Sequence, residues 1–177
     1  MTREDLAKAI YEIAHLKGEF LLRSGKTSNE YFDKYRFESN PQILQAIADQ
    51  MAPLIPEGTE ILAGLEVGGI PIATALSLKT GIPVCFVRKE AKEYGTCKFA
   101  EGPDIKGKKL LIVEDVVTTG GQIKLSVADL RKEGAVIDTA VGVIDREQGG
   151  TEGLQSVDLE FRPLLTMTEI KKAAGVS

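Results

Sequence analysis

Tryptophan is absent from the 177 residues, and histidine and cysteine are nearly so, with one and two respectively. The two cysteines, Cys85 and Cys97, form no CxxC pair and have no histidine nearby, which argues against a structural zinc site and fits a reducing compartment. The single histidine, His15, lies near the end of a helical segment and reads as a helix C-terminal residue, not a catalyst. No apolar stretch reaches the roughly 18 residues of a membrane span, and Met1 leads into charged sequence without a signal-peptide pattern, so a cytoplasmic protein is expected. An excess of positive charge is also missing. Lys plus Arg number 22 against 26 Asp plus Glu, a net −4, which implies no general affinity for nucleic acid. Internal repeats and low-complexity segments are absent. A chain of this length makes one domain able to bury about 70 % of its unfolded surface.

What is present is organised around Leu110–Gln122, LLIVEDVVTTGGQ. The run Leu110–Val113 fits a strand buried on both faces of a parallel sheet. Glu114 and Asp115 follow, then two valines, then Thr118, Thr119, Gly120 and Gly121, and a helical pattern begins at about Gln122. Ligands of open α/β sheets bind beyond the carboxyl ends of strands. Glycines let backbone approach a ligand, and the free N–H groups of a helix start attract phosphate. The carboxylates would repel that phosphate; sugar hydroxyls, or a magnesium ion, suit them better. Together the two halves point to a ribose 5-phosphate. The same residues also fit an ordinary buried strand followed by a solvated turn. The loop is neither a Walker A motif, which needs Gly-Lys-Ser/Thr, nor a G-x-G-x-x-G fingerprint.

Around this centre strands alternate with helices, which predicts a doubly wound α/β fold. Thr2–Leu16 reads as an amphipathic helix capped by Thr2. Residues 18–37 alternate like a hairpin around Ser24-Gly25-Lys26, and carry Arg23, Lys26, Lys34 and Arg36 among Phe20, Tyr31, Phe32, Tyr35 and Phe37. Basic and aromatic side chains together suit a flat anionic ring; a twisted edge hairpin explains them equally. Asn40-Pro41 starts a helix that Pro53 ends. Ile61–Ala63 is a short strand running into Gly64–Gly69, with a helix from about Pro71 to Lys79, a second phosphate-type loop. Val84–Val87 is a strand. Residues 88–106 form a connection long enough to argue for a functional lid, although a solvated charged loop reads the same way. Val136–Ile144 is a strand ending in DREQGG, which sets Arg146 at its carboxyl end, where a guanidinium can pair with a carboxylate or with neighbouring Asp145 or Glu147. Val157–Leu165 is the last strand, and Thr166–Glu169 a capping box.

LLIVEDVVTTGG resembles the donor-binding signature of type I phosphoribosyltransferases. With LRSGKTS, RKEAKEYG and DREQGG in the same order, nearly the whole chain resembles the orotate phosphoribosyltransferase family. The resemblance implies a small N-terminal hood, mainly 18–37, over the pyrimidine, and a mobile lid over 88–106. It implies that Lys89, Lys92 and Asp115 are catalytic and that Arg88, Tyr94 and Glu114–Gln122, including Val116 and Val117, bind phosphoribosyl pyrophosphate. Arg146 and Thr118 would fix orotate, with Arg23, Lys26 and Phe32 contributing from the hood. It further implies magnesium held mainly by the donor, and a homodimer whose lids are shared between subunits. Two positions depart from the family pattern. Gly68 stands where some members carry lysine, and Tyr94 where many carry histidine. A purine phosphoribosyltransferase, or a regulatory protein that senses the donor without catalysis, shares the central motif and stays open at this point.

Overall fold

The computed structural model describes residues 1–21, 25–90 and 99–176. Helix α1 (Arg3–Ala14) opens with a capping box in which Thr2 accepts from the Asp5 amide and the Asp5 carboxylate accepts from the Thr2 amide. The helix stops at Ala14, two residues before the end expected from periodicity, and His15 begins a strand. Strands β1 (His15–Leu21) and β2 (Thr27–Phe32) pair antiparallel, His15 opposite Phe32, with an irregularity between Lys17 and Phe20. His15 stacks on Tyr11 with centroids 4.6 Å apart, and its Nε2 lies 2.8 Å from Glu30 Oε2. Strand pairing and this contact override helix continuation, so His15 is both the C-cap of α1, as expected of a helix C-terminal residue, and the first residue of the hairpin.

The chain then makes the short helix α2 (Tyr35–Glu38) and α3 (Pro41–Met51), the latter with Asn40 as N-cap accepting from Gln42 and Ile43 amides at 3.1 Å. Alternation follows: β3 (Ile61–Leu65), α4 (Gly69–Thr80), β4 (Val84–Val87), β5 (Ala100–Glu101), β6 (Lys109–Val117), α5 (Gly121–Lys132), β7 (Val136–Asp145), α6 (Gly150–Gln155), β8 (Glu160–Thr166) and α7 (Met167–Ala173). The six strands of the main sheet lie in the order β5-β4-β3-β6-β7-β8, all parallel except the edge strand β5. Side-chain alternation along β6 divides the core in two. Leu111 and Val113 join α1, α3, α4 and α7 on one face, where Leu6, Ile10, Ile47, Ile72 and Ile170 are buried. Leu110 and Ile112 join α5 and α6 on the other, with Ile123, Val127, Leu130 and Leu154. The expected doubly wound sheet is what forms.

The last strand, expected from Val157, begins at Glu160, where β7 starts to pair with it. Three further features differ from expectation, each for a physical reason. Strand β6 continues through the acidic pair and both valines to Val117, because β7 pairs with it as far as Val117 opposite Asp145. The second half of the 88–106 connection is anchored, not loose. Its Phe99 and Ile105 are each only 6 % exposed, and β5 pairs with β4, so a lid that included them would have to pull two side chains from the core. The third is α6, which its two glycines disguise. A Cβ at Gly150 would come within 2.7 Å of Thr118 O, and one at Gly153 within 2.8 Å of Thr119 O, so these glycines let the helix lie directly against the central loop.

Candidate active site

Strand order reverses about β3: β4 lies on one side of it and β6, which follows later in the chain, on the other. The carboxyl ends of β3, β6 and β7 therefore share one edge, with a crevice between the loops after β3 and β6. The β3 loop contains the cis peptide Glu66–Val67 and then Gly68 and Gly69. It rides over β6 so closely that a Cβ at Gly69 would meet Val113 O at 2.3 Å.

Thr118–Gly120 form the central loop, and Gly120 has the left-handed φ of 73° that turns the chain into α5. No side chain caps α5. Its start lies among exposed Thr118, Thr119, Gly121 and Gln122, so the first N–H groups of the helix make an anion-ready terminus. The Val117 side chain is buried, but its carbonyl accepts from the Arg146 amide at 2.8 Å. This bond sets Arg146 one strand over from the loop. The Asp145 carboxylate takes the Glu147 amide at 2.8 Å, and Glu147 takes both the amide and the hydroxyl of Thr168, at 2.8 and 2.6 Å. The acids flanking Arg146 are thus occupied elsewhere, and the surface ion pair allowed by the sequence does not form with either. The guanidinium carbon instead lies 6.0 Å from the Phe32 ring centre, in a hollow also lined by Tyr31, Ser28 and Gln148. Lys26 is exposed at the start of β2.

Asp115 is fully buried. Its Oδ1 accepts from the Val116 amide at 2.5 Å, and Lys34 Nζ stands 2.6 Å from its Oδ2. Burial would raise its pKa, but hydrogen bonds with Glu38 and Glu114 and the Lys34 charge outweigh that and hold it below the ordinary carboxylate range. Glu114, whose Oε1 accepts from the Asp115 amide at 3.0 Å, is pushed well above its usual value by burial first and by Asp115 second. The two acids are thus pushed in opposite directions, Asp115 towards the charged acceptor and Glu114 towards the neutral donor, a pairing that suits adjacent hydroxyls. Among the described residues no group of three or more His, Cys, Asp or Glu could hold a metal ion.

At the end of β4, the Lys89 amide donates to Glu66 of the β3 loop, and Arg88 Nε stands 3.6 Å from Glu101 Oε1. Lys89 is thus tied by its backbone to the glycine-rich loop, with its side chain exposed. Arg23, Lys92 and Tyr94 lie outside the described residues. Sequence reasoning passed over Glu38 and the tie from Glu66. It counted Lys34 only as one of several basic hood residues, and nothing in the local pattern marks it or Glu38 as partners of Asp115, some 80 positions later in the chain. Cys85 is buried in the core, its thiol pushed up to about 12 by burial, so it is no nucleophile.

A doubly wound sheet with a phosphate-type loop beside paired acids is the frame on which phosphoribosyl groups are handled, and the Phosphoribosyl transferase domain family matches residues 35–157. The chain belongs to that family. The orotate phosphoribosyltransferase of Nocardioides sp. is 51% identical over 168 residues, covering 95% of this chain and 94% of that protein. The one from Pyrococcus horikoshii is 45% identical over 167 residues, covering 90% and 88%. Within the family, the chain falls among the orotate phosphoribosyltransferases. The crystal structure of the Aeropyrum pernix orotate phosphoribosyltransferase superposes with a TM-score of 0.83 at 31% identity, over 96% of this chain and 98% of that one. That of the Mycobacterium tuberculosis enzyme in complex with 5-phospho-alpha-D-ribosyl 1-diphosphate superposes at 0.81 and 26% identity, over 95% and 98%.

Proposed function

We propose that this chain transfers ribose 5-phosphate from phosphoribosyl pyrophosphate to a ring nitrogen of orotate, giving orotidine 5′-phosphate and pyrophosphate for pyrimidine synthesis in the cytoplasm. The observation that carries the reading is the Arg146–Val117 backbone bond, which sets a guanidinium backed by Phe32 one strand from the Thr118–Gly121 loop. A base anchor and a phosphate cradle at that separation suit the two ends of a nucleotide.

The roles follow from the chemistry. Thr118–Gln122 hold the 5′-phosphate through backbone N–H groups and threonine hydroxyls. Asp115 and Glu114 hold the ribose hydroxyls, and the ionised Asp115 faces the ring as positive charge grows at the anomeric carbon. The bond from that carbon to pyrophosphate oxygen breaks as the bond to orotate nitrogen forms. Arg88 and Lys89, with Lys92, take up the charge of the departing pyrophosphate. Arg146 pairs with the orotate carboxylate, and Phe32, Lys26 and Arg23 complete the base side. Orotate arrives with its nitrogen readily ionised, so no general base is needed. Magnesium enters on the donor's own oxygens, as part of the substrate.

The test is spectrophotometric. Orotate is expected to be consumed only when donor and magnesium are both present. Adenine or hypoxanthine used in its place would favour the purine reading, and donor binding without any turnover would favour a sensor.

The working unit is a homodimer in which the segment following Arg88 serves the neighbouring subunit's site. The basic residues Arg88, Lys89, Lys92 and Lys98, in the stretch before the anchored Phe99, support this. Inactive Lys92→Ala and inactive Asp115→Asn chains, mixed under conditions of subunit exchange, should regain activity, since a hybrid holds one site with both residues intact. Proven exchange without recovery would count against lid sharing.

A further inference from the structure

Lys34 is the N-cap residue of α2 and Glu38 is its last residue, both outside the motifs that define the family resemblance, and both side chains turn inward onto Asp115. Glu38 is 5 % exposed. Its Oε1 and Asp115 Oδ2 are sealed from solvent, neither is met by a hydrogen-bond donor among the described residues beyond the Lys34 ion pair, and both face the same point, the place where a Cβ on residue 68 would stand. That Cβ would be 1.6 Å from Oδ2 and 2.8 Å from Oε1, so only glycine at 68 leaves the two carboxyls room to meet. Two carboxylates this close and this dry cannot both be charged; they must share a proton.

We propose that Glu38 is a positioning residue for Asp115, its carboxyl donating a hydrogen bond that, with Lys34 opposite, fixes the Asp115 carboxylate at the ribose end of the crevice. The proposal rests on the reading of Asp115 as a ribose-hydroxyl ligand. The proton sits on Glu38. Burial, then Asp115, push its pKa from 4.5 to about 8, while Asp115 stays low. Among the described residues Lys34 supplies the positive charge paired with Asp115, and its own pKa is raised because Asp115 outweighs the cost of burial. The ribose ligand is therefore charged and aimed before any substrate arrives, and little reorganisation is left for the binding step.

Three variants test this. Glu38→Ala removes the donor, Glu38→Leu removes it while keeping volume, and Glu38→Gln keeps a donor of the same reach. Calorimetric titration of phosphoribosyl pyrophosphate without orotate reads the effect apart from turnover. Steady-state KM values for donor and orotate, and melting temperatures, are taken alongside. Glu38→Ala and Glu38→Leu are expected to weaken donor binding by about 10- to 100-fold, the range for losing a hydrogen bond to a charged group. The KM for orotate should move less than about twofold, since Glu38 faces Asp115 and not Arg146 or Phe32, and Glu38→Gln should recover donor binding to within about threefold. Equal losses in Glu38→Gln and Glu38→Ala, unchanged donor binding in Glu38→Leu, or a matching loss for orotate would each overturn the proposal. Wild-type protein that binds the donor but leaves orotate untouched would sink the orotate reading, and the titrations would still decide the role of Glu38.

Discussion

Replacing Arg146 by alanine is expected to lower kcat/KM for orotate by about 30- to 4000-fold and to leave donor binding nearly unchanged. The range corresponds to about 2–5 kcal/mol, the cost of removing one partner of a desolvated charged pair. Its size depends on the guanidinium having no other claim. Asp145 and Glu147 are held by the Glu147 amide and by Thr168, so neither competes for Arg146. The selectivity follows from position. The hydrogen bond that ties Arg146 to β6 is a backbone one, to Val117 O, and it survives the substitution. Calorimetric titrations of orotate and of phosphoribosyl pyrophosphate, with steady-state kinetics, check both halves. If Arg146→Ala weakens the donor as much as orotate, the arginine does not belong to the base and the purine reading regains weight.

The parts of this site that a reader of sequence sees are those made by contiguous residues. Leu110–Val113 announce a buried strand through an unbroken apolar run, and TTGG announces a turn into a helix. Both depend on neighbours in the chain, and both formed as expected. The Thr166 capping box is of the same kind: its partner, Glu169, is three residues away, and the reciprocal bonds are present at 2.7 and 3.1 Å.

What stayed hidden was made by packing across the sheet. Nothing in DKYRFES distinguishes Lys34 and Glu38, which turn inward to Asp115, from Arg36, which is exposed; the difference is set by how α2 packs against α1 and α3. The end of α1 was misplaced by two residues because periodicity is blind to the partner that draws His15 into β1. Helix α6 was passed over because glycine argues against helix in a local reading, whereas here Gly150 and Gly153 are what let it approach Thr118 and Thr119. Gly68 belongs to the same group. In sequence it is a missing lysine; in the structure it is the space that the Asp115–Glu38 pair occupies.

Gly68→Ala is therefore expected to cost donor use at least about 100-fold in kcat/KM, the usual penalty for shifting a reacting group by about 1 Å. The backbone does not object to alanine: residue 68 has φ −70° and ψ −29°, ordinary helical values. The cost is one of space. The new Cβ would stand 1.6 Å from Asp115 Oδ2 and 2.5 Å from its Cγ, and Asp115 must yield because the β3 loop is pinned over β6 by Gly69. Moving the carboxylate breaks its approach to Lys34 at 2.6 Å and its contact with Glu38. Gly68→Lys carries the same Cβ and should be as impaired, even though it restores a positive charge beside the pyrophosphate. A double-mutant cycle assigns the cause. If Gly68→Ala acts by displacing Asp115, then adding Asp115→Asn to it should cost little more than either change alone. Donor titration and steady-state kinetics on the two single variants and the double would measure this. Fully additive losses, or a Gly68→Lys chain that uses the donor as well as wild type, would show that Gly68 serves something other than the room Asp115 needs.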